Sequence, residues 1–383
     1  MCMGARRKEP LTEPALRQGQ KYLRQFEQVL KPLAELPAHG NRKFHYDQWV
    51  CLLLLHFYNP VLSSLRSLVE ASDFQSIQEL AGIKHTSLWA MSESAAKAFD
   101  PAYLEPIIQA LGRQAQRVCQ DKRLDDLPGV PTAVDGSFLR CLPKMVWAVF
   151  RQKSDKRGVR LHLHYDILRG IPSAAEITRA LASEKKSLRK LLREGMLYLT
   201  DRGYIDYGMY QAIHNADSFF VSRIKDNSTY EVVEERPLSQ ADRAAGVLSD
   251  AWVRMGSAFT EGKLTAPVRR VVIAGGQGRK DVVLLTNTDL PAELVGLLYR
   301  YRWQVELFFR WFKCILGCRN WLSLSLQGLT IQVYTALLAS ILVALWTGLK
   351  PTRSAFRVIC LYFQGWVRDE ELIQHLEKLK KTA

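Results

Sequence analysis

The chain has 383 residues, 48% of them apolar, with 53 Lys and Arg against 38 Asp and Glu, a formal charge of +15 and a pI near 9.5. That length supports more than one sizeable core, and the basic excess suits a polyanionic partner but would go unexplained in a paired-carboxylate glycosidase. Seven scattered cysteines (Cys2, Cys51, Cys119, Cys141, Cys314, Cys318 and Cys360) suggest no disulfide framework. Reducing cytoplasm is expected, and Cys314 and Cys318 lack the second ligand pair that a zinc site needs.

The polar stretch Met1 to Lys21 does not read as a secretory signal. Helical patterns follow at Glu13 to Leu30, Tyr46 to Phe57, Leu62 to Glu70, Ser87 to Phe99 and Pro101 to Cys119. Asp100-Pro101 fits an N-cap followed by Pro at the first helical position. Residues 1–125 are therefore expected to form a helical region; ahead of a nuclease-like core such a region would suit DNA binding, with a helix-turn-helix as one way to read DNA.

From Val130 the period changes. Val134 to Cys141, Lys144 to Arg151 and Val159 to Leu168 read as a strand meander with a basic turn at Ser154 to Gly158. His162 and His164 fall on one face of the third strand, expected to be a polar face. Next come a helix at Ser187 to Arg193, a strand at Met196 to Thr200, a helix at Tyr207 to Ile213 and a strand at Ser218 to Ile224. This order suggests an RNase H-like mixed sheet with flanking helices, an α+β class, over residues 126–322.

Residues 228–289 read as a β-rich insertion, with strands at Val268 to Ile273 and Asp281 to Thr286, a Gly-rich turn at Gly275 to Gly278 and Trp252 as the only tryptophan. Beyond it, Asn320 to Leu349 carries no charge. Ile331 to Leu349 reaches membrane-spanning length. The expected reading is a buried core helix against the catalytic sheet, opening a helical C-terminal region at 323–383, with no membrane partner.

Two carboxylates stand out among the strands. Asp135 interrupts the apolar run Pro131 to Leu139, and Asp201 ends the run Met196 to Thr200. Strand-end acids in mixed sheets point into ligand crevices, although many only cap a following helix. A third acid lies on the expected helix Leu298 to Leu316. At about 100° per residue, Tyr299, Arg302, Glu306 and Lys313 fall within a sector of roughly 60° over roughly 21 Å. Leu298, Val305, Phe309, Phe312 and Leu316 fill the neighbouring sector. Three acids without protein nitrogen or sulfur form a set able to hold two Mg²⁺ ions.

In order, spacing and strand, strand, helix context, these pieces resemble bacterial DDE transposases, specifically insertion sequence family four with its Y-x-x-R-x-x-x-E-x-x-x-x-x-x-K signature. Asp135-Gly136-Ser137, Asp201-Arg202-Gly203-Tyr204 and Tyr299, Arg302, Glu306 and Lys313 carry the likeness, from about Val130 to Leu322. The resemblance implies two Mg²⁺ or Mn²⁺ ions, with Asp135 bridging both and Asp201 and Glu306 each holding one. It also implies hairpin-forming cleavage of DNA, and an aromatic residue of the insertion stacking on a flipped base, for which Trp252 is the candidate.

Arg302 has the fork geometry, and Lys313 the compact charge, to neutralise phosphates beside the scissile bond, with Tyr299 and Arg202 as further phosphate ligands. A salt bridge from Arg302 to Glu306 is the plainer alternative. The basic groups Arg151, Lys153, Lys156, Arg157, Arg160 and Lys185, Lys186, Arg189, Lys190, Arg193 would contact the DNA backbone. The expected partners are double-stranded DNA, as terminal inverted repeats and target, and a second protomer; the expected place is the nucleoid of a bacterial cytoplasm. The alternatives are a stand-alone RNase H-like nuclease or resolvase, and an inactive transposon-derived DNA-binding regulator.

Overall fold

A computed structural model describes residues 26–37, 44–151, 156–256, 262–276, 278–316 and 320–382. The start of the expected first helix, Cys2, Lys153, the turn residues Ser154 and Asp155, Gln277 and Cys318 lie outside them, as do the side chains of Arg151 and Leu316. In chain order the helices are α1 (26–34), α2 (Tyr46–Tyr58), α3 (Leu65–Ala71), α4 (Gln75–Ala81), α5 (Leu88–Glu93), α6 (Leu104–Gln114), α7 (Glu184–Lys190), α8 (Tyr207–Asn215), α9 (Gln240–Ala244), α10 (Ala292–Tyr301), α11 (Trp303–Leu316), α12 (Leu326–Thr347), α13 (Arg353–Phe363) and α14 (Asp369–Thr382). The strands are β1 (Val130–Arg140), β2 (Val149–Arg151), β3 (Lys156–Asp166), β4 (Ile171–Arg179), β5 (Met196–Thr200), β6 (Phe219–Arg223), β7 (Tyr230–Glu235), β8 (Val247–Met255), β9 (Val268–Ile273) and β10 (Val282–Thr286).

The chain divides into two compact units, Met1–Ile107 with Asn320–Ala383, and Ile108–Arg319. The first is helical. Its central helix α12 is apolar on every side and almost wholly buried, so it is a core helix, as its uncharged sequence suggests. Its packing partners are α2, the π-helical turn Ser94–Ala98, the 3-10 turn Pro101–Tyr103 and α13, a correction to the expected sheet. The Tyr58 hydroxyl donates to the Ala339 carbonyl at 2.7 Å, and Phe26, Tyr58, Trp346 and Phe363 cluster around it. Gly328 permits the close approach at the start of α12, since a Cβ there would lie 2.2 Å from Ser323 Oγ.

The second unit is built on one sheet in the order β2-β3-β1-β5-β6-β10-β9-β8-β7, with β4 beside β3. β3 and β4 run antiparallel to their neighbours, while β1, β5 and β6 are parallel. The order β4-β3-β1-β5-β6 is the RNase H-like arrangement, with helices on its faces. The β-rich stretch extends this same sheet: β10 pairs antiparallel with β6, covering an edge that would otherwise present unpaired backbone groups.

Side-chain alternation assigns the two faces. Val134, Tyr198 and Phe220 pack with Leu188 of α7 and Met209, Tyr210 and Ile213 of α8. The opposite face meets α10 and α11, where Tyr165 stacks obliquely on Phe308 at 5.2 Å. Leu298, Val305, Phe309 and Phe312 are buried in this layer, as their spacing predicts.

Three expectations need correction. The strand expected over Lys144 to Arg151 is a 3-10 turn, Val146–Ala148, followed by the three-residue β2. The expected continuous helix is interrupted at Arg302, where Arg302 N bonds to Tyr299 O and Val305 N to Arg302 O, both three residues back. His162 and His164 are 2% and 3% exposed, so their face is covered. Burial pushes both imidazoles down, to about 4 for His162 and about 3 for His164, which keeps them neutral.

Candidate active site

The strand register brings the two aspartates together. Ala133 of β1 pairs with Leu199 of the parallel β5, so Asp135 and Asp201 each follow two residues beyond a paired position, and Asp201 adds to the rise of the Asp135 carboxyl pKa. Both belong to the face that meets α10 and α11. Asp201 remains in an extended conformation and caps a short 3-10 turn, accepting a hydrogen bond from Gly203 N at 2.8 Å.

The third acid comes from α11, which packs on β1. Arg302 stands between the elements: its Nη2 donates to Glu306 Oε1 at 2.7 Å, and its Nη1 lies 3.9 Å from Asp135 Oδ2. Only 12% of its side chain is exposed. The interruption at Arg302 places this guanidinium between the strand and helix carboxylates. Tyr299 lies beside it, with its ring centroid 5.7 Å from the guanidinium carbon.

Burial pushes the Asp135 carboxyl up to about 6. The Gly136 amide and Arg302 oppose that rise, while Asp201 and Glu306 add to it. Although burial works against it, the Arg302 charge is reinforced by Glu306, Tyr299 and Asp135. Tyr204, buried beneath the acids, has a hydroxyl without a hydrogen-bond partner and a phenol held well above its usual range, chiefly by burial.

Among the described residues no three of His, Cys, Asp and Glu converge closely enough to grip a metal ion as they stand. The donor chemistry nevertheless fits a hard divalent cation, since the acids offer oxygen alone. Arg302 already supplies positive charge where Asp135 and Glu306 face one another.

Sequence reasoning missed Glu184, at the start of α7. A Cβ on Gly136 would lie 2.8 Å from Glu184 Oε1, and one on Gly203 would lie 3.2 Å from its Oε2. Glu184 is therefore wedged against the backbone following both aspartates, and it pairs with Arg160 of β3. The glycines after Asp135 and Asp201 were the available signal. Gly136→Ala should destabilise the fold by about 1 kcal/mol, since the Glu184 carboxylate must shift to admit the methyl group. In a Glu184→Ala background that penalty should largely vanish, and urea unfolding of the four proteins reads the coupling directly; equal penalties in both backgrounds would contradict the contact.

The remaining expected ligands are distributed differently. Lys313 lies on α11 two turns beyond Glu306 and is partly exposed. Arg202 follows Asp201 and reaches to 3.9 Å from Asp226. Of the basic groups, Lys185 donates to Ile205 O and Lys190 to Glu176, at 2.6 and 2.7 Å, while Lys186 and Arg189 are exposed. Trp252 sits on β8, five strands from β1, or roughly 24 Å at the usual spacing. Its ring lies 5.7 and 5.8 Å from the guanidinium carbons of Arg236 and Arg269, away from the acid cluster.

Residues 127–342, more than half of the chain and including all three acids, match the family described as Transposase DDE domain, and the chain belongs to that family. It is 34% identical over 185 residues to "Putative transposase y4zB" of Sinorhizobium fredii, covering 48% of this chain and 52% of that protein. It is 25% identical over 201 residues to "Probable transposase for insertion sequence element IS5377" of Geobacillus stearothermophilus, covering 52% of each. The chain thus spans about half the length of the curated relatives it matches. A cryo-EM structure of the piggyBac transposase synaptic complex with hairpin DNA aligns with 97% of this chain and 82% of that one, at a TM-score of 0.40 and 12% identity, a likeness too distant to bear on mechanism.

Proposed function

We propose that the chain is a DNA transposase of insertion sequence family four that binds terminal inverted repeats and carries out Mg²⁺- or Mn²⁺-dependent strand cleavage and strand transfer. The observation that supports this reading is Arg302, which donates to Glu306 and lies 3.9 Å from Asp135, itself two residues past the β1–β5 pairing that leads to Asp201. On this reading the three carboxylates hold two divalent ions. When bound, such a pair activates an attacking water or 3′-hydroxyl and stabilises the leaving oxygen of an in-line displacement.

The chain's own side chains supply the remainder. Asp135 must lose its proton before it can act as a ligand, because burial favours its neutral form. Arg302 must release Glu306, and its fork is then available to a phosphate beside the scissile bond. Lys313, Tyr299 and Arg202 offer further charge and hydroxyl donors to the same strand. Trp252 would stack on a base well away from the cut.

Double-stranded DNA is the partner, as element ends and as target. Two protomers would bring two ends together, and the setting is the bacterial cytoplasm, at the nucleoid. Incubating the protein with Mg²⁺ and DNA carrying the element's own ends should yield cleavage at those ends and joined strand-transfer products. Cleavage without joining would indicate a stand-alone nuclease, and end binding without cleavage an inactive regulator.

A further inference from the structure

On the face of the sheet opposite the acids lies a cavity of about 230 Å³ within the second unit. Thr132 of β1 and Tyr198 of β5 line it, and both share the face of Val134, whereas Asp135 and Asp201 belong to the other. Thr132 and Asp135 are separated by roughly 10 Å of strand as well as by the sheet itself. The cavity is therefore distinct from the acid cluster.

Its lining is cationic. Arg113, Arg169 and Arg193 contribute three guanidinium groups, and Asp166 is the one carboxylate. Asp166 is already committed to Arg169, which donates from Nη1 at 2.9 Å while its Nε donates to Ala115 O at 3.1 Å. Arg193 donates only to a neutral acceptor, Ser173 O at 3.3 Å, and among the described residues neither it nor Arg113 pairs with a carboxylate. Two positive charges thus stand without a counter-charge.

His164, 3% exposed, forms part of the cavity wall, with its Nε2 covered by the protein. Guanidinium forks match the oxygens of a phosphate anion.

We propose that this cavity binds a phosphate group, held by Arg113 and Arg193. A DNA backbone phosphate is the favoured source, a choice that rests on the DNA-binding reading above. A DNA segment gripped here would be separate from the strand at the acids.

The test uses the full chain in phosphate-free buffer, with inorganic phosphate and duplex DNA as separate probes. Inorganic phosphate should raise the melting temperature saturably, and Arg113→Ala and Arg193→Ala should each abolish that rise. Arg113 is exposed, so its variant reads binding with little risk to the fold. If the source is DNA, each variant should also lower the slope of log K against log salt by about 0.9. A phosphate shift with unchanged slopes would assign the site to a free phosphate compound. No phosphate-induced shift and no change in slope would overturn the proposal. Loss of Mg²⁺-dependent cleavage with phosphate binding intact would count against the acid site and leave this one standing.

Discussion

Asp135→Asn should reduce Mg²⁺-dependent cleavage by at least about 10³-fold while making the folded protein more stable at neutral pH. The two effects share a cause. Asp135 is held among Asp201, Glu306 and buried apolar groups, and its carboxyl is pushed up to about 6. The unfolded chain titrates near the ordinary aspartate value of about 3.9, so between roughly pH 4 and 6 the folded state binds more protons.

Stability contributed by this group is accordingly greatest in acid and falls as pH rises through that window. Above it, the ionised carboxylate costs the fold about 3 kcal/mol, from a shift of about two units at about 1.4 kcal/mol each. Asparagine removes the charge, so the variant should gain most of that amount at pH 7.5 and almost nothing at pH 4. Denaturant unfolding at the two pH values, beside a cleavage assay, measures both. An inactive variant with no gain at pH 7.5 would show that Asp135 is not desolvated as described.

Asp250→Ala should destabilise the second unit by about 3–5 kcal/mol, because it strands a buried guanidinium. Arg269 is 1% exposed. It donates from Nε and Nη2 to the two Asp250 oxygens at 3.1 and 2.5 Å, and from Nη1 to Thr288 O and Leu290 O at 3.0 and 2.7 Å. Those carbonyls lie immediately before α10, so the pair ties β8 and β9 to the segment that leads to Tyr299 and Arg302.

Replacing Asp250 and Arg269 with apolar residues, as in Asp250→Leu with Arg269→Met, should recover most of the loss, since Arg236, which lies 3.5 Å from Asp250, keeps Asp289 at 2.7 Å. Urea unfolding of the single and double variants separates the penalty of breaking the pair from its net worth. A loss below about 1 kcal/mol for Asp250→Ala would mean that water reaches Arg269.

The acids were legible because each breaks a local rule: Asp135 interrupts an apolar strand, and Asp201 ends one. The parallel pairing of β1 with β5, which ends two residues before each aspartate, was not, since register depends on pairing between distant strands. The interruption at Arg302 was hidden because helical periodicity continues across it, although it sets where the guanidinium sits. β4 escaped notice because Ile171–Arg179 holds Pro172, Ala174 and Ala175, weak strand formers stabilised by pairing with β3.

Alternation at His162 and His164 correctly identified a common face, but alternation alone does not say what covers it. Glu184 carries no motif of its own. Its role emerges only where its carboxylate meets the backbone of Gly136 and Gly203. The partners of α12 were equally unreadable, since a helix apolar on all sides announces burial without naming its neighbours.

The most direct test of the acid site is calorimetric titration of the intact protein with Mn²⁺ or Mg²⁺ in buffers of different ionisation enthalpy near pH 6. Binding should be saturable, should release protons as Asp135 ionises, and should be lost or greatly weakened in Asp135→Asn, Asp201→Asn and Glu306→Gln. Undiminished binding in all three variants would show that these carboxylates do not form a common cation site.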